Sequence, residues 1–328
     1  MTVDLDVVKR SVLLACRAPS VHNSQPWRWV SEGGGLHLYV DRSRWVQNTD
    51  RSGREALISC GAVLDHLRVA MAAAGWQAHI KRFPNPGNRD HLASVEFSPR
   101  ELVADIDRKR AEAILQRRTD RLPFRCPTFW AQFEPVLRGS VGGTVAILDV
   151  LSDEVRSQVA EASKLTETVR RYDASYHAEL LWWTAPFALS GGIPPEALPS
   201  TSERWRVDVA RDFPARSDVD RRPDVSLDWS KIVVLSAAGD TRPEVFGCGE
   251  ALSSVLLECT MSGMATCTLT HLIELDESRD IVRRLIGEHR EPQALIRVGI
   301  APPLEDLPAA TPRRPLDEVL QFSERDDV

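Results

Sequence analysis

The residues of this 328-residue chain that could do chemistry gather in a few short runs. The most specific is Arg17-Ala18-Pro19-Ser20-Val21-His22-Asn23-Ser24-Gln25-Pro26-Trp27. Each of its two prolines fixes φ, removes an N–H and pushes the preceding residue away from helix, so the run is a stiffened turn. It presents a hydroxyl, an imidazole and two amides, then enters the core through Trp27 and Trp29. Donors and acceptors on a rigid loop suit a planar, heteroatom-rich ligand. Arg117-Arg118-Thr119-Asp120-Arg121 and Arg313-Arg314 offer guanidinium forks from two distant segments. Such forks match a dianionic phosphate through bidentate, charge-assisted hydrogen bonds, and Thr119 adds a hydroxyl. Only Lys9, Lys81, Lys109, Lys164 and Lys231 are lysines, so any anion site must use arginine or backbone N–H groups. By composition alone the first run favours an ordinary polar loop, and the arginines also read as a solvated basic surface.

The elements that must position these residues recur along the chain. Residues 5–18 place apolar side chains at helical spacing and end at Pro19. Trp27–Val30 and Leu36–Asp41 read as strands around the turn Glu32-Gly33-Gly34-Gly35. A helix from Arg54 to Ala74 is stopped by Gly75, and strands follow at Gln77–Phe83 and Leu92–Phe97. The second half repeats the order with a strand at Trp229–Ser236, a helix at Gly249–Ser262 stopped by Gly263, and strands at Ala265–Leu269 and Ala294–Ile300. A displacement of 188 residues sets Gly61 on Gly249, Leu64 on Leu252, Leu67 on Val255 and Gly75 on Gly263, which implies an internal repeat. Two stretches break the symmetry. Residues 104–121 form a charged, helix-like segment running into the arginines. Residues 186–228 are rich in Pro, Gly, Ser and charge, as in a functional flap or a linker. Trp205, Val207, Val209 and Phe213 favour a flap that packs on something.

A net charge of −6 and a pI near 5.8 exclude a global basic field for nucleic acid or anionic lipid. No apolar run approaches the roughly 18–20 residues of a membrane span. Met1 to Arg10 is charged and patterned, unlike a signal peptide, so a cytoplasmic location is expected. Cys16, Cys60, Cys126, Cys248, Cys259 and Cys267 are scattered, without metal or disulfide spacing, and no metal is expected. Gly247-Cys248-Gly249 is too short for a dinucleotide loop, His177-Ala178-Glu179 lacks the cysteine pair of a zinc deaminase, and no G-x-S-x-G elbow is present.

The run Ala18-Pro19-Ser20-x-x-Asn23-x-Gln25-Pro26-Trp27 resembles the flavin-contacting loop of the nitroreductase family, FMN-dependent enzymes that work as intertwined dimers. Arg117-Arg118-Thr119-Asp120-Arg121 with Phe124 resembles the family's phosphate-binding opening segment. Gly263-Met264-Ala265-Thr266-Cys267-Thr268-Leu269-Thr270-His271 resembles the segment whose backbone lies along the flavin near N5. Arg313-Arg314-Pro315-Leu316-Asp317-Glu318 resembles the C-terminal segment that returns a basic residue to the phosphate. In the family these motifs meet across two protomers; here the first half holds only the loop and the second half only the others. The resemblance, which covers nearly the whole chain, is therefore to the Acg-like branch, in which two nitroreductase-like halves are fused.

It implies an α+β, nitroreductase-like fold, internally duplicated as a pseudo-dimer and monomeric, with halves at 1–103 and 104–328 and a lid-like insertion at 186–228. It implies one FMN per chain, contacted by Arg17, Pro19, Ser20, His22, Asn23, Gln25, Arg117, Arg118, Thr119, Arg121, Thr268, Leu269, Thr270, His271, Arg313 and Arg314. A backbone N–H of Thr270 or His271 would hold the ring, and the chemistry would belong to FMN rather than to a catalytic side chain. His271 stands where the family often has a small residue, and His22 reads equally as a ring contact or a structural histidine. The implied activity is NAD(P)H oxidation coupled to a nitroaromatic or quinone-like acceptor. The alternative is FMN sequestration or storage beneath a closed lid, with little or no nitroreductase activity.

Overall fold

The computed structural model describes residues 3–185, 191–214, 216–304 and 309–323. The chain opens with α1 (Leu5–Ala15), whose first turn is capped by the Asp4 carboxylate accepting from the Asp6 N–H. A hairpin of β1 (Trp27–Glu32) and β2 (Gly35–Val40) follows, then α2 (Arg54–Ala73), β3 (Trp76–Arg82) and β4 (His91–Pro99). The helices α3 (Asp105–Gln116) and α4 (Trp130–Ser140) lead to β5 (Ile147–Leu151), α5 (Arg156–Arg170), α6 (Ala174–Trp183), α7 (Thr201–Trp205) and β6 (Lys231–Ala237). The chain continues through α8 (Arg242–Met261), β7 (Ala265–Leu269), α9 (Asp276–Ile286), β8 (Glu291–Gly299), α10 (Leu316–Val319) and β9 (Leu320–Phe322).

One sheet has the order β3-β4-β2-β1-β9 and the other β5-β6-β8-β7. The sequence β1, β2, α2, β3, β4 thus recurs as β5, β6, α8, β7, β8, with matching neighbours in each sheet. This is an α+β fold built from two like halves. The last strand, β9, joins β1 in parallel register, Trp29 opposite Leu320, so the end of the chain completes the first sheet.

Between the sheets lie α2 and α8, and their contact explains the glycines at the 188-residue displacement. A Cβ on Gly61 would fall 2.1 Å from the Phe246 carbonyl oxygen, and one on Gly249 would fall 2.1 Å from that of Ile58. Ile58 and Phe246 are themselves related by the same displacement, so the crossing is a pseudo-twofold in which backbone meets backbone. Just beyond it the Ser253 hydroxyl donates to Asp65 Oδ2 (2.6 Å), another pair of equivalent positions. One apolar core runs through both helices and both sheets, with Trp27, Trp29, Leu64, Leu67, Phe246 and Val255 all fully enclosed.

Some expectations need correction. The helix expected from Gly249 begins seven residues earlier, at Arg242. Pro243 sits in its first turn, where a missing N–H costs nothing, and the Glu244 carboxylate accepts from the Thr241 N–H (3.0 Å). By length and composition α2 is apolar enough to cross a membrane; its composition reflects burial between the sheets, where 83% of its most apolar window is enclosed. Within 186–228, residues 186–190 and 215 lie outside the described residues. Val207, Val209 and Phe213 are buried as expected of a packed flap, but Trp205 is 83% exposed. Trp229 is likewise exposed and precedes β6, its N–H donating to the Phe124 carbonyl.

Candidate functional site

The Pro19–Pro26 loop holds a short helical turn, Val21–Asn23, in a conformation that ordinary residues rarely adopt. His22, Asn23 and Gln25 have φ of 49°, 57° and 54°, in the left-handed region. Such residues cost on the order of 1–3 kcal/mol each and persist where surrounding bonds over-determine them. Here the Ser20 hydroxyl accepts from the Gln25 N–H (3.0 Å), and Gln25 Oε1 accepts from the Arg314 N–H (2.9 Å). Asn23 Nδ2 donates to the carbonyls of Gly192 (3.0 Å) and Pro312 (2.9 Å). The loop is therefore braced by the C-terminal segment and by the stretch after residue 190. His22 is buried, 3.3 Å from the Thr49 hydroxyl and edge-on to Phe213, with ring centroids 5.9 Å apart.

Facing the loop is the segment that leaves α3. Thr119 bridges Thr266 on β7, and the Asp120 N–H donates to the Thr266 carbonyl (2.9 Å). A fully buried ion pair fixes the next few residues: Arg297 on β8 meets Asp228 at 2.6 Å and also donates to the Leu122 carbonyl (2.9 Å). Asp228 in turn accepts from the Phe124 N–H (2.8 Å). Removing one partner of such a pair leaves an uncompensated charge, so this contact pins the arginine segment against the end of β7.

Between these walls lie two cavities of about 880 and 460 Å³ that share Pro19, Ser20, Thr119, Arg121 and Ile193. The larger is lined by Thr268, Leu269, Thr270 and His271 at the end of β7, by Ile58 and Leu252 from the core helices, and by Pro199, Ala210, Arg211 and Phe213. The smaller is lined by Arg17, Arg117, Arg118 and Arg313 together with Asn23 and Thr311. Among the described residues none of these four arginines has a carboxylate partner, whereas most arginines elsewhere in the chain do. Arg117 and Arg313 both donate to the Arg17 carbonyl, at 3.2 and 3.1 Å, which draws their like charges together. Burial, then repulsion from Arg118 and Arg17, lowers the Arg117 pKa to about 10. Burial, then Arg117 and Arg17, lowers that of half-buried Arg313 to about 9. The buried Nε–H groups of Arg17 and Arg117 have no acceptor among the described residues. Four uncompensated guanidinium groups around one cavity form a site for a multiply charged anion, and the adjoining larger cavity offers apolar walls to a planar group. FMN fits both ends.

The sequence-derived residues are not all equivalent in place. Arg17, Pro19, Ser20, His22, Asn23, Arg117, Arg118, Thr119, Arg121, Thr268, Leu269, Thr270, His271 and Arg313 line the two cavities. Gln25 and Arg314 do not: Gln25 is fully enclosed behind the loop, and Arg314 is buried against Asp41 (3.2 Å) and Glu318 (3.3 Å). Arg314 is thus neutralised by carboxylates and braces the loop from behind. His271 Nε2 meets the Ser163 hydroxyl at 2.7 Å, and its buried Nδ1 has no partner among the described residues. Burial, then Arg211 and Arg204, holds this imidazole well below the usual histidine pKa, so it is neutral. Sequence reasoning missed Glu55 and Arg211, which line the larger cavity. Glu55 reads in sequence as an ordinary first-turn acid, and Arg211 as one more charge in a charged stretch.

An internally duplicated α+β fold with an arginine-lined cavity between its halves defines the class. No family model matches the chain. It is 55% identical over 324 residues to a Mycobacterium tuberculosis protein provisionally named NAD(P)H nitroreductase acg, spanning 99% of this chain and 98% of that one. It is 62% identical over 320 residues to an uncharacterized protein of the same organism, spanning 96% and 93%. The chain belongs to the nitroreductase superfamily, in its Acg-like branch. Among solved structures, the FMN-dependent nitroreductase NfnB of Mycobacterium smegmatis, crystallised with NADPH, aligns with a TM-score of 0.42 and 20% identity over 67% of this chain and all of that one.

Proposed function

We propose that this chain holds one FMN and is an FMN-dependent NAD(P)H oxidoreductase acting on nitroaromatic or quinone-like acceptors. Arg17, Arg117, Arg118 and Arg313 would hold the phosphate, with the Ser20 and Thr119 hydroxyls supplying neutral donors and Asn23, whose two amide hydrogens go to the Gly192 and Pro312 carbonyls, bracing the loop. The Thr268–His271 backbone and the Pro19–His22 turn would hold the ring. Bound FMN supplies electron transfer between a nicotinamide and an acceptor; the protein supplies orientation, charge and exclusion of water. Neutral His271 and the apolar faces of Ile58, Leu252 and Phe213 would keep the ring end dry. The observation that carries the reading is the cluster of four arginines without acidic partners. Placing them together is unfavourable unless an anion completes the site.

A second reading has its own support. Pro199, Ala210, Arg211 and Phe213 form one wall of the larger cavity, and Arg211 is tied to Glu274 and to the Tyr176 hydroxyl. Arg121 lies over the Phe213 ring at 5.5 Å. A wall fastened this firmly favours sequestration or storage of FMN, with the 186–228 stretch acting as a lid that keeps nicotinamides out.

One experiment separates these readings. The purified chain is examined for an oxidised-flavin absorption band, then titrated anaerobically with NADPH and NADH. Rapid bleaching supports the oxidoreductase; a band that persists until dithionite is added supports sequestration. Absence of the band after incubation with FMN refutes both. Because the α2–α8 contact lies within one chain, we also take the protein to be a monomer, and a homodimer by light scattering would overturn that.

A further inference from the structure

Glu55 stands in the first turn of α2 and is 2% exposed, yet neither carboxyl oxygen has a hydrogen-bond partner among the described residues. It lines the larger cavity described above. It also lines a third cavity, of about 990 Å³, walled by Asp50, Arg54, Asp240, Glu274 and Arg279. Among the described residues, Glu55 is the one that both cavities share. A single enclosed carboxyl thus separates the ring end of the candidate FMN site from a polar outer cleft.

Its surroundings decide its protonation state. An ionised carboxylate without donors or counter-ion is costly to bury, and such groups take up a proton instead. Glu274, after β7, and Asp50, before α2, add negative charge, which Arg211 and Arg54 offset only in part. Arg211 is committed to Glu274, and Arg54 donates to the Ile273 carbonyl. In the outer cleft Arg279 is paired with Asp240. Burial first, then Glu274 and Asp50, pushes the Glu55 carboxyl well above the usual range. Asp50, enclosed near the same helix start, is raised to about 6, by burial above all.

We propose that Glu55 is the proton-transfer residue of this site, carrying protons from the outer cleft to an acceptor reduced in the larger cavity. This rests on the FMN reading above. Reduction of a quinone-type acceptor takes up two electrons, supplied by the reduced flavin, and two hydrogens. One of those hydrogens arrives with the electrons as hydride. The other forms an O–H bond on the acceptor as the Glu55 O–H bond breaks, leaving a carboxylate. That carboxylate regains its proton from water in the outer cleft.

The test uses full-length, FMN-loaded protein reduced by dithionite and mixed anaerobically with either a benzoquinone or ferricyanide, which accepts one electron and no proton. In E55Q, benzoquinone reoxidation is expected to slow by about a hundredfold or more, the range of positioned acid–base groups. Ferricyanide reoxidation is expected to be unchanged, and E55D to recover part of the quinone rate. Infrared spectra of the resting protein are expected to show a deuterium-sensitive carboxylic-acid carbonyl band that E55Q lacks. An unchanged quinone rate in E55Q, or no such band in the wild type at neutral pH, overturns the relay. The wild-type infrared spectrum carries this test if E55Q does not fold. Failure of the wild type to take up FMN overturns instead the reading on which the relay rests.

Discussion

Arg117→Met isolates the tension at the centre of the site. Arg117 is 6% exposed and lines the smaller cavity, and among the described residues its guanidinium makes one hydrogen bond, to the Arg17 carbonyl. A guanidinium pulled down to about 10 has lost more than two decades of proton affinity relative to its free value. At about 1.4 kcal/mol per decade, roughly 3 kcal/mol opposes the charged group in the flavin-free protein. Methionine keeps the aliphatic length and gives up one hydrogen bond worth about 1 kcal/mol. The flavin-free R117M protein is therefore expected to be more stable than wild type, by about 2 kcal/mol. A base with a depressed pKa is charged in both folded and unfolded states at neutral pH. The gain is thus constant there and shrinks only as pH rises past about 10. Toward FMN the sign reverses: losing one partner of a buried charge pair costs about 2–5 kcal/mol, at least a thirtyfold loss in affinity. Riboflavin, which lacks the phosphate, is expected to bind wild type and variant alike. Urea unfolding of the stripped proteins measures the first effect, and fluorescence titration with FMN and riboflavin the second. Destabilisation of the flavin-free variant, or equal weakening toward both flavins, would refute the reasoning.

Two further expectations follow from the core. Gly249→Ala puts a Cβ 2.1 Å from a backbone carbonyl that cannot rotate away, so α2 and α8 must part. A loss of about 3 kcal/mol or more is expected in urea unfolding, and a loss below about 1 kcal/mol would show that the crossing tolerates a methyl group. His66, fully buried with Nδ1 2.8 Å from the Ser253 hydroxyl, is held well below the usual histidine pKa by burial, then by Arg117 and Arg313. It therefore contributes stability above its unfolded pKa that is lost as pH falls. Between pH 7.5 and 5.5, wild type is expected to lose about 1 kcal/mol more than H66Q. Equal pH slopes for the two proteins would show that His66 is not held neutral.

The local features of the chain were legible because they follow from covalent geometry and period. Pro19 and Pro26 restrict the backbone around them, so the polar run between them had to be a turn. Apolar spacing marked α2 and its neighbouring strands, and Gly61 and Gly249 marked the repeat; that they also form the crossing, where only glycine lets two helix backbones approach so closely, came from the packed fold. The start of α8 was misplaced because Pro243 and two glycines look like a break until the helix is seen to need no side chain there.

What tertiary structure alone decided is which polar group finds a partner. Arg313 and Arg314 are neighbours of one type, yet Asp41 and Glu318 neutralise only the second, leaving the first facing the cavity. Trp205 and Phe213 belong to one charged stretch, yet only Phe213 is folded inward, against His22. Glu55 looks like any acid at a helix start; its isolation arises because Arg211 and Arg54 point their hydrogen bonds at groups far away in sequence. Periodicity and backbone stereochemistry act over a few residues and are written into the chain. The pairing of charges depends on distances between segments that only the packed fold determines.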